Sequence, residues 1–375
     1  MTWLTRMRRP STVIGIASLL LLCAVAVENL AFTDSLLDTT YHRTQTIWLV
    51  LGLLSGGILA TLDSGFVRRL ALTLYVGLTV LLFAVLFVGR EINFSRRWIE
   101  LGPINLQPSE FMKLAVVLVL ADWFDRRRFR GPLGARDLVW PLVVMAVPVV
   151  LINRQPDLGT SLCVALIAVA LILYHGVQRR ILVVGAIVVA VGAPLAWGTG
   201  VIRDYQKGRA EAWTRMVLDD EPVVQRRTAE ASQAELAIWA VGSGRVFGRS
   251  DASARASVLR HLPFVHTDFA LAAFAERYGL VGCAAMFGLY AGLIGWALRL
   301  ADRAEQTYDA LVAVGVAALV FWQFFINAGM VIGLLPVVGL TLPLVSYGGS
   351  SALTVLLSCG LLVNLALRRA ARGSV

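Results

Sequence analysis

Apolar positions run through this chain in ten long blocks, near 12–32, 46–62, 68–89, 110–124, 137–153, 158–175, 180–199, 277–298, 309–333 and 350–367. Each block is close to the ~20 residues that carry an α-helix across a ~30 Å hydrocarbon layer. None shows the period-2 alternation of a half-buried strand. The pattern predicts an all-α, polytopic integral membrane protein of about ten transmembrane helices, organised as a single membrane domain over 1–375. The fourth and fifth blocks are short, and Pro141 and Pro148 interrupt the fifth. Such segments tilt or kink inside a bundle, where neighbouring helices satisfy freed backbone groups. No block reads as a cleaved signal peptide.

Charge then orients the blocks. Alternation from Arg6, Arg8 and Arg9 places 17 basic residues in the loops of one side and five (Arg43, Arg90, Arg96, Arg97 and Arg154) in the short loops of the other. Because short cytoplasmic loops are enriched in Lys and Arg, this predicts both termini in the cytoplasm. It also predicts one large extracytoplasmic loop, 200–267, between spans seven and eight.

Composition agrees: 58% of residues are hydrophobic and 15% charged, with a mean hydropathy of +0.73. Soluble domains sit near ~45–50% apolar and ~25% charged, so that class is excluded. The net charge of +10 is largely topological. With no zinc-finger spacing and no basic helix with interleaved aromatics, no nucleic-acid partner is expected. Cys23, Cys163, Cys283 and Cys359 all fall in apolar blocks and read as packing residues.

Polar punctuation without a hydropathy explanation gathers in four segments of the side opposite the arginine-rich loops. In 89–113, Arg96 and Arg97 precede Trp98, a set suited to an anion beside an interfacial aromatic, or to a plain aromatic belt. Gln107, Pro108, Ser109 and Glu110 resemble a helix start. Lys113 lies one turn on, able to pair with Glu110, and intramembrane ionisable residues are functional candidates by default. In 153–160, Arg154 and Asp157 flank a Pro-Asp-x-Gly turn in which Asp157 suits a helix cap.

The long loop contains an amphipathic stretch, 230–240, then a Gly242-Ser243-Gly244-Arg245 turn and Gly248-Arg249. Glycine-rich turns with arginines can hold phosphate through backbone N–H groups. The loop ends in His266, Thr267 and Asp268, either helix capping or, with Glu276 eight residues on, a carboxylate-bearing face. In 329–351 two proline bends and the run Ser346-Tyr347-Gly348-Gly349-Ser350-Ser351 interrupt the apolar pattern. Irregular backbone at membrane depth lines polar cavities.

Five pieces, RRWIELGPINLQPSEFMKLA, RQPDLGTSL, IWAVGSGRVFGR, LPFVHTDFALAAFAERYGLVG and NAGMVIGLLPVVGLTLPLVSYGGSS, occur in the order found in one family. In these the chain resembles the SEDS family (shape, elongation, division and sporulation), polytopic peptidoglycan glycosyltransferases typified by RodA and FtsW. The RQPDLGT wording and short termini are more similar to the RodA branch. The resemblance implies a polymerase of lipid II, the undecaprenyl-pyrophosphate-linked disaccharide peptide, making β-1,4 glycan on the extracytoplasmic face during cell-wall elongation and shape control.

It places the catalytic aspartate on Asp268 and cavity-lining residues on Trp98, Gln107, Ser109, Glu110, Lys113 and Asp157, with the hydroxyl-glycine run over 346–351. It implies a class B penicillin-binding protein transpeptidase as partner, besides membrane lipid. Two positions depart from the family pattern: Phe264 and Arg277 stand where acids are usual.

Glycosyl transfer from a lipid diphosphate needs a base for the acceptor hydroxyl and cationic help for the leaving group. Asp268 is the candidate base. Arg97, Lys113, Arg154 and Arg245 are candidates for the diphosphate, and the chemistry admits a divalent cation, with Asp268 as a ligand. The competing reading is a flippase or transporter for the same lipid-linked precursor.

Overall fold

The computed structural model describes residues 10–92, 95–101, 104–127, 131–198, 204–218, 229–249 and 257–372. Arg6, Arg8, Arg9, Arg128 and Arg130, used in the orientation argument, lie outside them. All ten apolar blocks fold as helices: α1 (Pro10–Leu37), α2 (Tyr41–Thr61), α3 (Ser64–Val88), α4 (Pro108–Arg127), α5 (Ala135–Arg154), α6 (Leu158–His175), α7 (Arg179–Gly198), α10 (Ala270–Asp302), α11 (Thr307–Val331) and α12 (Gly349–Arg372). Among the described residues, eight helices are long and apolar enough to cross a membrane; α4 and α7 are outside that set. α4 carries Glu110, Lys113, Asp122 and Asp125 in its 20 residues.

The long loop supplies α8 (Asp204–Leu218), α9 (Ala229–Ser243) and a short 3-10 turn, Val258–His261. The amphipathic stretch expected at 230–240 is therefore helical. One departure from the all-helical expectation is a three-stranded antiparallel meander, β1 (Arg90–Ile92), β2 (Ser95–Leu101) and β3 (Ile104–Leu106). Its strands are too short to register as alternation in the sequence. β2, Ser-Arg-Arg-Trp-Ile-Glu-Leu, does not alternate, because Trp98 and Ile99 are adjacent, and β3, Ile-Asn-Leu, alternates over three residues only.

Small residues set the tightest packing. α2 and α12 cross where a Cβ on Gly56 would lie 2.7 Å from the Leu356 carbonyl, and one on Gly360 would lie 2.4 Å from the Gly56 carbonyl. Without a hydrophobic drive between helices in lipid, such backbone approach is the main source of association. At the bundle end away from Asp268, Asn364 donates to the carbonyls of Ala60 (2.9 Å) and Leu62 (2.7 Å), satisfying orphaned groups at the end of α2. Arg68 joins Asp122 and Asp125 there, and Arg368 joins Asp309 at 3.1 Å.

α10 is broken at Gly279, whose φ of 64° and ψ of −163° are not helical. The segment that fills the break is the glycine-arginine loop after α9. Gly248 (φ 86°) abuts the Arg277 carbonyl, 1.9 Å from where its Cβ would stand. Arg249 N–H donates to the Glu276 carbonyl (3.0 Å), while Leu280 and Val281 N–H donate to the carbonyls of Arg245 (2.9 Å) and Val246 (3.0 Å).

Candidate active site

Buried polar side chains converge at the end of the bundle that carries β1–β3, α8 and the 263–269 turn. α4 begins there, and its first turns bring Ser109, Glu110 and Lys113 inside. Lys113 is fully buried, 2.7 Å from the Glu110 carboxylate, and donates to Gln323 Oε1 on α11 at 2.9 Å. Gln323 passes the chain on, donating to the Thr341 carbonyl (3.1 Å) and to Ser351 Oγ at the start of α12 (2.8 Å). A buried charge survives only when paired and hydrogen-bonded, and both conditions are met here.

A second strand of the network runs through Asp157. Its carboxylate caps α6 by accepting from Thr160 N–H (3.1 Å), accepts from Gln107 Nε2 (2.9 Å), and lies 3.7 Å from the Arg97 guanidinium on β2. Gln107 N–H in turn donates to Ser350 Oγ at 3.0 Å. Thus capping and site-building are one role for Asp157.

Asp268 lies one residue before the N-cap of α10, in a turn whose three amides at Thr267, Asp268 and Phe269 all donate to the Phe264 carbonyl (3.1, 3.0 and 3.2 Å). Phe264 makes this turn with φ 57°. Three consecutive carbonyls of the turn are also claimed. His266 O accepts from Tyr347 N–H (2.8 Å), Thr267 O from Ser346 Oγ, and Asp268 O from Asn327 Nδ2 (2.9 Å). Asp268 is half-buried, and burial pushes its carboxyl up to about 6; a hydrogen bond from Thr267 and the charges of Arg209 and Arg97 work in the opposite direction, and Asp157 adds to the rise.

Residues expected from the sequence thus divide. Arg97, Gln107, Asp157 and Ser350 form one linked set, Glu110 and Lys113 a second with Gln323, and Ser346 holds the Asp268 turn at Thr267, while Ser109 is buried with its hydroxyl unpartnered among the described residues and Trp98 is half-buried on β2. His266 stacks on Tyr41 (4.3 Å between ring centres) and Tyr347 lies 4.7 Å from Tyr41. Gly348 N–H donates to Gln45 Oε1 (3.1 Å), and Gly349 lies so close to Trp48 that a Cβ would fall 2.1 Å from its ring.

Other expectations are corrected. Asp268 and Glu276 do not share a helix face, because α10 starts only at Ala270. Glu276 instead accepts from Ser257 Oγ (3.0 Å) and lies 3.8 Å from Arg249, fastening the loop. The Gly242–Arg249 turn is no phosphate cradle: the amides of Gly244, Arg245, Gly248 and Arg249 all have backbone acceptors, and its glycines serve close approach to α10. The Arg245 and Arg154 side chains are exposed, outside the buried network. Arg277, the departure from the family pattern, pairs with Glu28 of α1 at 2.7 Å, and Tyr278 hydrogen-bonds the same carboxylate.

Sequence reasoning missed Arg209, Gln45, Gln323 and Asn327. The last three are fully buried; Gln323 and Asn327 are polar residues inside an apolar block and Gln45 stands one residue before another, a signal available in the sequence. Arg209 had none, since α8 is rich in charge. Structure alone brings α8 across the 333–337 segment, where Arg209 donates to Val337 O (3.1 Å) and Trp213 to Gly333 O (2.9 Å).

Among the described residues no group of three or more His, Cys, Asp and Glu side chains is placed to hold a metal. The described donors beside Asp268 do not make a metal site by themselves.

Fold and site define a class: a polytopic α-helical membrane protein with a buried polar network at one end, built around a carboxylate tuned towards neutrality. Residues 10–371 match the FtsW, RodA and SpoVE family model described as "Cell cycle protein". The chain belongs to this family, the SEDS peptidoglycan glycosyltransferases.

It is 35% identical to the peptidoglycan glycosyltransferase MrdB of Escherichia coli K12 over 321 residues, covering 86% of this chain and 84% of that one. It is 30% identical to the probable peptidoglycan glycosyltransferase FtsW of Trichlorobacter lovleyi over 356 residues, 94% and 91% of the two chains. Among solved structures, a chain from a peptidoglycan synthase complex that coordinates polymerization and crosslinking superposes with a TM-score of 0.79 at 31% identity, over 94% of this chain and 96% of that one. The rod shape determining protein RodA of Thermus thermophilus superposes at 0.68 and 29% identity, over 94% and 95%.

Proposed function

We propose that this protein is a peptidoglycan glycosyltransferase that polymerises lipid II into β-1,4 glycan, with Asp268 as general base. The carrying observation is a half-buried carboxylate poised at about 6 between the charges of Arg97 and Arg209. A proton acceptor works best when its pKa lies near the working pH. Asp268 takes the proton from the acceptor sugar's 4-hydroxyl as that oxygen attacks the donor's anomeric carbon. The bond to the lipid diphosphate breaks, its electrons stay on the diphosphate, and the anomeric centre inverts. Arg97 and Arg209, whose charges act on Asp268, are the candidates to stabilise the negative charge that develops. Lys113, held by Glu110 and Gln323, adds fixed positive charge deeper in the network.

The reading includes a topology of ten spans with both termini in the cytoplasm, which puts Asp268 on the outer face of the bacterial plasma membrane. The distribution of arginine supports that orientation. It also includes a class B penicillin-binding transpeptidase as partner, supported by likeness to a chain from a complex that couples polymerization to crosslinking. The test is polymerisation of lipid II by purified protein in liposomes, with and without chelator, beside a translocation assay on labelled lipid II. Glycan from the wild type and none from Asp268→Asn supports the reading. Translocation that survives the substitution, without glycan from either protein, replaces it with a flippase.

A further inference from the structure

The turn between α1 and α2 is built more firmly than a connection of three residues requires. Asp34, buried in the last turns of α1, accepts from His42 N–H (2.8 Å) and contacts His42 Nδ1 (2.6 Å), while its other oxygen meets Thr39 Oγ1. Thr39 N–H closes on the Asp34 carbonyl (3.2 Å), and Asp38 takes φ 57° to let the chain reverse. A left-handed non-glycine residue is uncommon and persists where its surroundings over-determine it.

This clasp fixes the first residue of α2, Tyr41. Its ring lies flat on His266, with centres 4.3 Å apart and planes 12° apart, and 4.7 Å from Tyr347. His266 is two residues from Asp268, and His266 and Tyr347 are joined again through the backbone at 2.8 Å.

We propose that Tyr41 is a positioning residue: the Asp34-locked turn presses its ring onto His266 and thereby fixes the direction of the Asp268 carboxylate. The inference rests on Asp268 as base. The backbone of the turn is held from one side by the 327–347 segment, through Asn327, Ser346 and Tyr347. Tyr41 contacts the side chain of His266, and so supplies a hold that backbone bonds do not. The groups acting on Asp268 are Arg97 from β2, Arg209 from α8, Asp157 before α6 and its neighbour Thr267. Those around His266 are Asp34, Tyr41 and Tyr347. Loss of the brace admits water to Asp268, which favours its charged form.

The test uses the full-length protein in liposomes with lipid II and the variants Tyr41→Ala, Tyr41→Phe and Asp34→Asn, with hydrogen exchange at 264–269 measured on the same samples. For Tyr41→Ala we expect kcat to fall roughly tenfold or more through misorientation. KM should stay within about twofold, since no substrate contact is removed. The acid limb of kcat should move to lower pH, and the amides of 267–269 should exchange faster. Tyr41→Phe keeps the stack and should restore kcat, the acid limb and the exchange. Asp34→Asn, which keeps the Tyr41 side chain but weakens the lock that presses it onto His266, should loosen the same amides, and it stands in if Tyr41→Ala does not fold. Wild-type exchange and kcat in Tyr41→Ala overturn the proposal. So does a loss that leaves the acid limb unmoved, or one confined to KM. A wild type that makes no glycan defeats the base assignment instead, and exchange still decides the brace.

Discussion

Replacing Asp268 by Asn should make the protein more stable and inactive together. Its carboxyl moves from an ordinary 3.8 to about 6 on folding. Complete burial would make that about 3 kcal/mol against the folded state above the higher value, and the half-buried position reduces it to roughly 1–3 kcal/mol. The sign follows from proton binding. Above pH 6 the carboxylate is ionised in both states and less at ease when folded, so the cost is fully present. As pH falls from 6 towards 4 the folded state takes up its proton first, and the cost disappears. Asp268→Asn should therefore exceed the wild type in stability at pH 7.5 and match it near pH 4. Unfolding of both purified proteins, followed across pH 4–8 in one detergent, measures the difference, and a lipid II gel assay measures the activity. The reasoning is refuted if Asn confers no gain at pH 7.5, if the gain persists at pH 4, or if glycan synthesis survives.

Three further outcomes are expected. Glu110→Gln leaves the buried Lys113 ammonium without its counter-charge and should destabilise by about 3–5 kcal/mol, whereas Glu110→Gln with Lys113→Met should recover most of that in the same unfolding assay. Gly248→Ala should cost several kcal/mol and expression yield, because its Cβ would sit 1.9 Å from the Arg277 carbonyl at φ 86°, while Gly57→Ala, in open space on α2, should be tolerated. Reversing one partner of the Glu28–Arg277 pair should destabilise more than reversing both, with a coupling of about 0.5–3 kcal/mol in a double-mutant cycle.

Hydropathy located the long helices, most of them to within about five residues and the eighth seven residues late at its start, because lipid leaves a backbone no alternative that satisfies its polar groups. It also led to Lys113 and Asp157, since charge and capping residues amid apolar sequence demand partners. What remained illegible depends on chain crossings. The sheet at 90–106 owes its form to pairing between segments of three to seven residues. The break at Gly279 fell within a few residues of where the eighth apolar block begins, so one helix was expected and two were found. The glycines at 242–248 carried two readings, anion binding or close approach, and only the neighbouring carbonyls decide for the second. Arg209 acts on Asp268 from 59 positions away in sequence, through a helix whose charged composition marks no residue above another.

The three carbonyl bonds that hold the Asp268 turn have a consequence for biosynthesis. Their donors, Asn327, Ser346 and Tyr347, are translated about 60 to 80 residues after the turn itself. Ser346 and Gly348 are in turn gripped by Gln45, some 300 residues earlier. Domains fold as the chain emerges, N-terminal parts first, and contacts this distant form last. A ribosome-bound chain lacking α11 and α12 would already hold α1–α7 and α10, with Asp268 present but unaimed. Activity would switch on only when the last helices insert, so an incomplete chain carries no wall-building capacity.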